Sequence, residues 1–299
     1  MRVFDAHCDT LDLLTDKNSL YDCETHYNLK KAGLYDTHIQ VAAIWIDSDI
    51  HDISKRTDSL IKRFEKETEN VGVIKSANDL KSALGTNMIL GIEGGEAIGK
   101  SVKNLQTLFD RGVRIITLVW NHDNEIAGCA MSGEKGLTAF GGEIIAQMEK
   151  LGIMVDVSHL SERGFYDVVG AACKPFAASH SNSKKICNHF RNLTDDQFRC
   201  IIDTGGVAGI NLYPEFLGEN ADTDTVIRHI EHFMSLGGEN NVGIGADFDG
   251  IDCLPKGICG TQDLEKIAEK LLKLKYTEDL VEKIMYKNME RIFAEVLPD

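Results

Sequence analysis

The 299-residue sequence is poor in proline and tryptophan, with four and two of them respectively, and it contains no low-complexity stretch. A disordered linker is therefore not expected, and we predict a single domain over residues 1–299. No segment has the roughly 18 consecutive apolar residues that a membrane-spanning helix requires. Basic residues are outnumbered by acidic ones, 32 to 47, which gives a net charge of −15. This balance disfavours nucleic acids and membranes as main partners.

The sequence also lacks any C-x-x-C pair, so its eight cysteines do not suggest a cysteine-only zinc site. The first ten residues contain Asp5 and Asp9 and no apolar signal-peptide core. A chain of this size without an export signal is expected to keep its thiols reduced. We therefore predict a cytoplasmic protein.

Short apolar runs, rich in β-branched residues, alternate with longer amphipathic segments along the chain. Eight such alternations predict an α/β fold of the (β/α)8 TIM-barrel type, with parallel strands buried on both faces. An open doubly wound sheet is the alternative, although no G-x-G-x-x-G motif follows the first run. The predicted strands cover residues 3–6, 39–46, 88–92, 115–119, 153–157, 176–178, 207–211 and 242–246. Helices are predicted over 52–69, 142–151, 161–169, 263–274 and 278–296.

Ionisable side chains follow five of the predicted strands. They are His7 and Asp9 after the first strand, Glu93 after the third, His159 after the fifth, His180 after the sixth and Asp247 after the eighth. In a barrel these strand ends meet at the face that carries the active site. Three histidines and three carboxylates exceed the needs of one tetrahedral zinc, and they suit two metal ions about 3.5–4 Å apart. Each residue alone could be an ordinary loop residue or helix cap, but that interpretation needs six separate coincidences.

Several short motifs occur in a fixed order along nearly the whole chain. They are DAHCDT at residues 5–10, GIEGG at 91–95, GLTAFG at 136–141, VDVSH at 155–159, SHS at 179–181, FRN at 190–192 and GIGADFDG at 243–250. In these motifs the sequence resembles the membrane (renal) dipeptidase family of amidohydrolase-type metal barrels. The resemblance implies a (β/α)8 barrel with two zinc ions per chain at the C-terminal face of its strands.

The resemblance also implies a role for each matching residue. His7 and Asp9 would bind one zinc, His159 and His180 the other, and Glu93 would bridge the two. Asp247 would sit beside the metals as the proton-transfer group. Arg191 matches an arginine that holds the carboxylate of the substrate, a role that suits the bidentate guanidinium group. Tyr213 is a candidate pocket residue, with core packing as the alternative.

One position departs from the family pattern. Members of this family often carry a histidine after the fourth strand that polarises the scissile carbonyl, and Trp120 stands at that position here. His122 lies two residues further on and would share the same face if the strand continued, so it is a candidate replacement. Asn121 is the other candidate donor. Loss of one oxyanion donor can cost on the order of 10² to 10³ in rate.

The sequence therefore predicts a zinc-dependent dipeptidase for L,L-dipeptides, with L,D-dipeptides as further plausible substrates. The resemblance adds a homodimer as a candidate assembly. Two alternatives remain open at this point. One is another metal-dependent amidohydrolase, lactonase or phosphoesterase, and the other is a metal-binding barrel that has lost catalysis.

Overall fold

Nine parallel strands form one sheet in the structure, a computed structural model that describes residues 1–133 and 135–299. Eight of these strands correspond one to one with the predicted strands. The ninth, β3, has only two residues and pairs with Asn87 and Met88 of β4, ahead of the residues of β4 that pair with β5. The strands are β1 (Arg2–Cys8), β2 (Thr37–Trp45), β3 (Gly72–Val73), β4 (Gly85–Glu93), β5 (Val113–Thr117), β6 (Met154–Asp156), β7 (Ala177–Ala178), β8 (Val207–Ile210) and β9 (Val242–Ile244).

The sheet closes on itself. Its order runs β2-β1-β9-β8-β7-β6-β5-β4, and β2 also pairs with β4 along its full nine-residue length, from Thr37 beside Gly85 to Trp45 beside Glu93. Closure removes the free edges of the sheet. The predicted (β/α)8 barrel is therefore confirmed, and the open doubly wound alternative is wrong.

Helices occupy the connections between the strands and the C-terminus. Short 3₁₀ segments cover Gly95–Ile98 and Thr261–Asp263. The α-helices are α1 (Thr10–Leu13), α2 (Leu29–Ala32), α3 (Ile53–Glu67), α4 (Ala77–Ser82), α5 (Lys103–Asp110), α6 (Ala139–Leu151), α7 (Glu162–Ala171), α8 (Asp195–Asp203), α9 (Pro214–Leu217), α10 (Thr223–Ser235), α11 (Glu265–Lys273), α12 (Glu278–Glu282) and α13 (Asn288–Val296).

Side-chain caps determine where several of these helices begin. The side chain of Thr138 accepts a hydrogen bond from the Gly141 N–H, so α6 begins three residues before the predicted start. Thr194 and Gln197 form a reciprocal capping box at α8. The predicted helix over 278–296 is interrupted, because a π-helical turn at Lys283–Lys287 separates α12 from α13.

The barrel interior is filled by apolar side chains from seven of the eight barrel strands, all except β9. Phe293 of α13 packs against Phe4 with ring centroids 5.0 Å apart, which seals the N-terminal end of the barrel. The inward-facing residues are Phe4, Ala6, Ile39, Val41, Ile89, Ile115, Met154, Ala177 and Val207. Polar side chains at the opposite strand ends therefore project into the C-terminal mouth.

Among the described residues, no helix combines the length and the apolar character that crossing a bilayer would demand.

Candidate metal centre and substrate cavity

All six predicted ligand residues meet at the C-terminal mouth of the barrel. Glu93, at the end of β4, lies at the centre of the cluster. Its Oε1 is 3.0 Å from Nε2 of His159, 3.4 Å from Nε2 of His180 and 3.7 Å from Nε2 of His7. The same His7 atom lies 3.2 Å from Asp9 Oδ2 and 4.0 Å from Asp247 Oδ1. Five strands thus deliver six donors to one buried cluster.

Two of these side chains are held by an uncommon backbone conformation. His159 has φ of 69° and Asp247 has φ of 60°, both in the left-handed region that residues other than glycine rarely occupy. The backbone N–H of Asp247 donates to the carbonyl of His7, at 3.1 Å. Such conformations cost on the order of 1–3 kcal/mol each and cluster at functional sites.

Hydrogen bonds fix the tautomers of two histidines in the cluster. Ser179 Oγ donates to Asp156 Oδ2 at 2.6 Å, so it accepts from Nδ1–H of His180, at 2.7 Å. Asn121 Oδ1 likewise accepts from Nδ1–H of His159, at 3.0 Å. Each imidazole therefore carries its proton on Nδ1 and presents a lone pair at Nε2. The two Nε2 atoms are 3.0 Å apart, so two lone pairs face each other beside a carboxylate.

This arrangement fits a divalent metal centre. Two lone pairs at that separation repel unless a cation lies between or beside them, and Nε2 of His7 and Oδ1 of Asp9 also have no hydrogen-bond partner among the described residues. Ligand atoms of His7, Asp9 and Glu93 lie within 4.8 Å of one another, and so do those of Glu93, His159 and His180. Glu93 belongs to both groups, and nitrogen and oxygen donors of this kind suit zinc or similar metals.

The carboxylates of the centre have strongly perturbed acidities. Burial raises the pKa of Asp247 to about 7, although the charge of His7 and a 2.8 Å hydrogen bond from Asn211 Nδ2 act in the opposite direction. Burial would also raise the pKa of Glu93, but the charge of the neighbouring His7 holds it well below its usual value. Glu93 is therefore the permanent anion of the cluster.

A cavity of about 670 Å³ opens above the centre and is lined by Asp9, Glu93, His159 and Asp247. Arg191, in the loop after β7, also lines this cavity and is only 6% exposed. Its Nε and Nη2 atoms have no hydrogen-bond partner among the described residues, and its guanidinium carbon lies 5.4 Å from the centre of the Phe216 ring. Burial lowers the pKa of Arg191 to about 10. The cavity therefore contains a buried cation with free donors.

The sequence model of the membrane dipeptidase family (peptidase family M19) matches residues 1–297. The chain belongs to the membrane dipeptidase family. An uncharacterized dipeptidase of Schizosaccharomyces pombe is 38% identical over 193 residues, which cover 62% of this chain and 46% of the yeast protein. The chain thus spans about half the length of that curated relative.

Two crystal structures resemble this dipeptidase-family chain over its whole length. One is a metallopeptidase of family M19 described as dipeptidase AC, with a TM-score of 0.89, 27% identity and coverage of 100% of this chain and 99% of the other. The second is a metallopeptidase from Rhodobacter sphaeroides liganded with a phosphinate mimic of the dipeptide L-Ala-D-Ala. It has a TM-score of 0.88 and 26% identity, and 99% of each chain is covered. Both comparisons agree with the observed barrel.

Three further sequence candidates lie after β5 and β8 of this family member. Asn121 lines the cavity and contacts His159, as described, and Tyr213 also lines it. His122 does not join the cluster. Its Nδ1 is 2.8 Å from Asp47 Oδ1, and its side chain is 49% exposed on the rim. Trp120 occupies the cavity wall instead, with its ring centroid 6.3 Å from that of His159.

The sequence reasoning missed Asp156. This fully buried carboxylate accepts from the backbone N–H groups of Ser158 and Ser179 and from the hydroxyls of Thr117 and Ser179, at 2.6 to 3.0 Å. It thereby orients the serine that fixes the tautomer of His180. A signal was present, because Asp156 is a charged residue inside the otherwise apolar run 153–157, just before Ser158 and His159.

Proposed function

We propose that this chain is a dizinc dipeptidase that hydrolyses the peptide bond of L,L- and L,D-dipeptides. One observation carries the proposal. The Nε2 lone pairs of His159 and His180 face each other beside the shared carboxylate of Glu93. His7, Asp9 and Glu93 would hold one zinc, and Glu93, His159 and His180 the other. When bound, the two ions would activate water and polarise the scissile carbonyl.

Arg191 supports a substrate with a free carboxylate. Its unpartnered Nε and Nη2 groups can donate two parallel hydrogen bonds to a carboxylate. Arg191 lines the same cavity as Glu93, His159 and Asp247, so a terminal carboxylate held by Arg191 lies close to the metal centre, which favours short peptides such as dipeptides. Neither a phosphotriester nor a simple lactone carries such a group, so the cavity favours the dipeptidase over those alternatives.

Asp247 and Asn121 complete the proposed mechanism. Asp247 Oδ1 faces the cluster, and Asn211 holds Oδ2, so Asp247 can take a proton from the attacking water and pass it to the leaving amine. Asn121 accepts a hydrogen bond from His159 at Oδ1, so its Nδ2 group can donate to the oxyanion that forms at the carbonyl. Asn121 thus replaces His122 as the proposed donor. Tyr213 is proposed to line the substrate site.

The stereochemical part of the proposal draws on one structural neighbour. The R. sphaeroides metallopeptidase binds a mimic of L-Ala-D-Ala, and it shares 26% identity and the whole barrel with this chain. The cytoplasmic location and the homodimer stay predictions.

The test is hydrolysis of matched L,L- and L,D-dipeptides by zinc-reconstituted protein, with metal content measured on the same sample and a chelated sample as control. We expect cleavage that chelation abolishes and zinc restores, at two zinc ions per chain. Protein that holds two metal ions and cleaves no dipeptide would refute the proposal. Equal cleavage of carboxyl-amidated dipeptides would refute the role of Arg191.

A further inference from the structure

The position of Arg191 predicts which wall of the cavity receives the N-terminal half of a bound dipeptide. Around the closed barrel the order is β1, β2, β4, β5, β6, β7, β8, β9. Arg191 follows β7, and the strand four positions away, directly across an eight-stranded barrel, is β2. A dipeptide whose carboxylate is held by Arg191 and whose peptide bond lies over the metal centre therefore extends toward β2. On one side of β2 the barrel wall continues through β4 to β5.

This opposite wall is aromatic. Trp45 is the last residue of β2, and Trp120 lies just beyond β5. Both line the cavity, and their rings meet edge to face with centroids 5.0 Å apart and an interplanar angle of 75°. Such a pair is a well-ordered apolar surface that can hold a further ring or a large aliphatic chain.

Two further apolar side chains extend the same wall to the solvent. Leu13, at the end of α1, is 49% exposed, and Met131, in the segment after Trp120, is 61% exposed, and both line the cavity. Clustered exposed apolar side chains around a cavity typically mark a ligand-binding surface. The flexible thioether side chain of methionine adapts to ligands of different shapes.

The charged groups at this end of the cavity are bound to each other. Arg56 Nη2 forms an ion pair with Asp12 Oδ1, and Asp12 Oδ2 accepts a 3.1 Å hydrogen bond from the backbone N–H of Trp45. The pair is therefore internally neutralised, and it also fixes the position of Trp45. An approaching side chain meets the indole rings rather than an uncompensated charge.

From these observations we propose, on the basis of the dipeptidase function above, that Trp45 and Trp120 form the subsite for the N-terminal side chain. The enzyme would select dipeptides whose N-terminal residue is large and apolar, such as Phe, Leu or Met. Burial of a phenylalanine-sized side chain in place of a methyl group predicts a kcat/KM roughly 10- to 100-fold higher for Phe-Ala than for Ala-Ala. Lys-Ala and Glu-Ala should be no better than Ala-Ala, because Asp12 and Arg56 already form an ion pair with each other.

The kinetic experiment uses the zinc-loaded full chain and two substrate series. In Xaa-Ala the N-terminal residue is Ala, Leu, Phe, Lys or Glu, and in Ala-Xaa the C-terminal residue varies in the same way. We expect Trp120→Ala and Trp45→Ala to reduce the Phe-Ala over Ala-Ala ratio at least fivefold, with Trp120→Phe retaining most of it. Phe190→Ala is the matched control, since Phe190 is a cavity-lining aromatic residue next to Arg191. Phe190→Ala should leave the Phe-Ala over Ala-Ala ratio unchanged and should instead alter the relative kcat/KM values within the Ala-Xaa series.

A binding experiment separates this subsite from turnover. Trp45 and Trp120 are the only tryptophans in the sequence, so intrinsic fluorescence reports directly on this wall. Phosphinate mimics of Phe-Ala and Ala-Ala are titrated into zinc-loaded protein, and we expect a larger emission change and at least tenfold tighter binding for the Phe-Ala mimic.

The outcomes distinguish the two proposals. Cleavage of dipeptides with no preference for large apolar N-terminal residues, or a preference that survives Trp120→Ala and Trp45→Ala, overturns the subsite and leaves the dipeptidase function intact. Absence of cleavage together with size-ordered binding at the tryptophans overturns the dipeptidase function and supports the subsite. Absence of both cleavage and binding overturns both.

Discussion

Replacement of Arg191 by methionine should leave the fold at least as stable and should strongly lower the activity toward free dipeptides. Arg191 is 6% exposed, and the Nε and Nη2 atoms of its guanidinium group are unpartnered among the described residues, so burial of this cation has a cost in free energy. Burial lowers its pKa from 12.5 to about 10, which corresponds to about 3 kcal/mol of unfavourable free energy for the charged form in the folded state. Methionine keeps most of the packing against Phe216 and removes the charge.

The activity of Arg191→Met should fall in a substrate-dependent way. Two hydrogen bonds between a guanidinium and a carboxylate contribute about 1.5–3 kcal/mol each, so kcat/KM for a free dipeptide should fall roughly 10²- to 10⁴-fold. A carboxyl-amidated dipeptide cannot use the ionic contact, so its hydrolysis should change little. The metal content should stay that of the unmodified protein, because Arg191 donates no ligand.

Thermal unfolding and steady-state kinetics on the same preparations check both parts. The unfolding midpoint of Arg191→Met should rise by a few degrees or stay constant. Arg199→Met is the matched control, since Arg199 is an exposed arginine paired with Asp196, and it should change neither quantity. A clear fall in the unfolding midpoint, or equal losses for free and amidated substrates, would show that Arg191 supports the fold rather than the substrate.

Four other perturbations test separate parts of the structure. Ser179→Ala should weaken metal binding roughly 10- to 100-fold in a chelator competition, because the proton on His180 Nδ1 loses its acceptor; unchanged affinity would refute the tautomer argument. In Asp247→Asn, elemental analysis should show an unchanged metal content, while kcat should fall at least about 10²-fold. Full activity of this variant would exclude the proton relay. Asn121→Ala should lower kcat more than His122→Ala does, and the reverse order would restore His122 as the donor. Buried His38 has its pKa lowered by desolvation from 6.5 to about 3, so the unfolded state takes up a proton first as the pH falls. Protonation of His38 in the unfolded state should therefore lower the free energy of unfolding by about 2 kcal/mol as the pH falls from 7 to 5. Denaturant titrations at the two pH values should show that a His38→Phe variant lacks this loss.

The strand pattern and the ligand set were accessible from the sequence because both follow from short-range rules. Parallel barrel strands are buried on both faces, so they appear as apolar runs, and all eight were found near their observed positions. The carboxyl ends of parallel strands lie on one face of the barrel. His7, Glu93, His159 and Asp247 could therefore be assigned to a common site without any knowledge of distances.

The assignment after β5 shows where short-range rules stop. The expectation that His122 shares the face of Trp120 assumed that the strand continues, but β5 ends at Thr117. Beyond that point the loop places Asn121 against His159 and turns His122 to Asp47. Alternation of side chains holds only while the backbone is extended, so it could not choose between these neighbours.

The sequence by itself determined the barrel, the donor types and the family. Periodicity, polar residues at strand ends and ordered motifs depend only on the order of residues along the chain. Only the tertiary structure decided which distant residues act together. Asp156 reaches His180 through Ser179 across two strands, Trp45 meets Trp120 over the intervening strand β4, and Arg191 lies buried and unpartnered among the described residues, opposite β2. Such pairings depend on barrel closure and on the paths of the loops, and these are set by packing among residues far apart in the sequence.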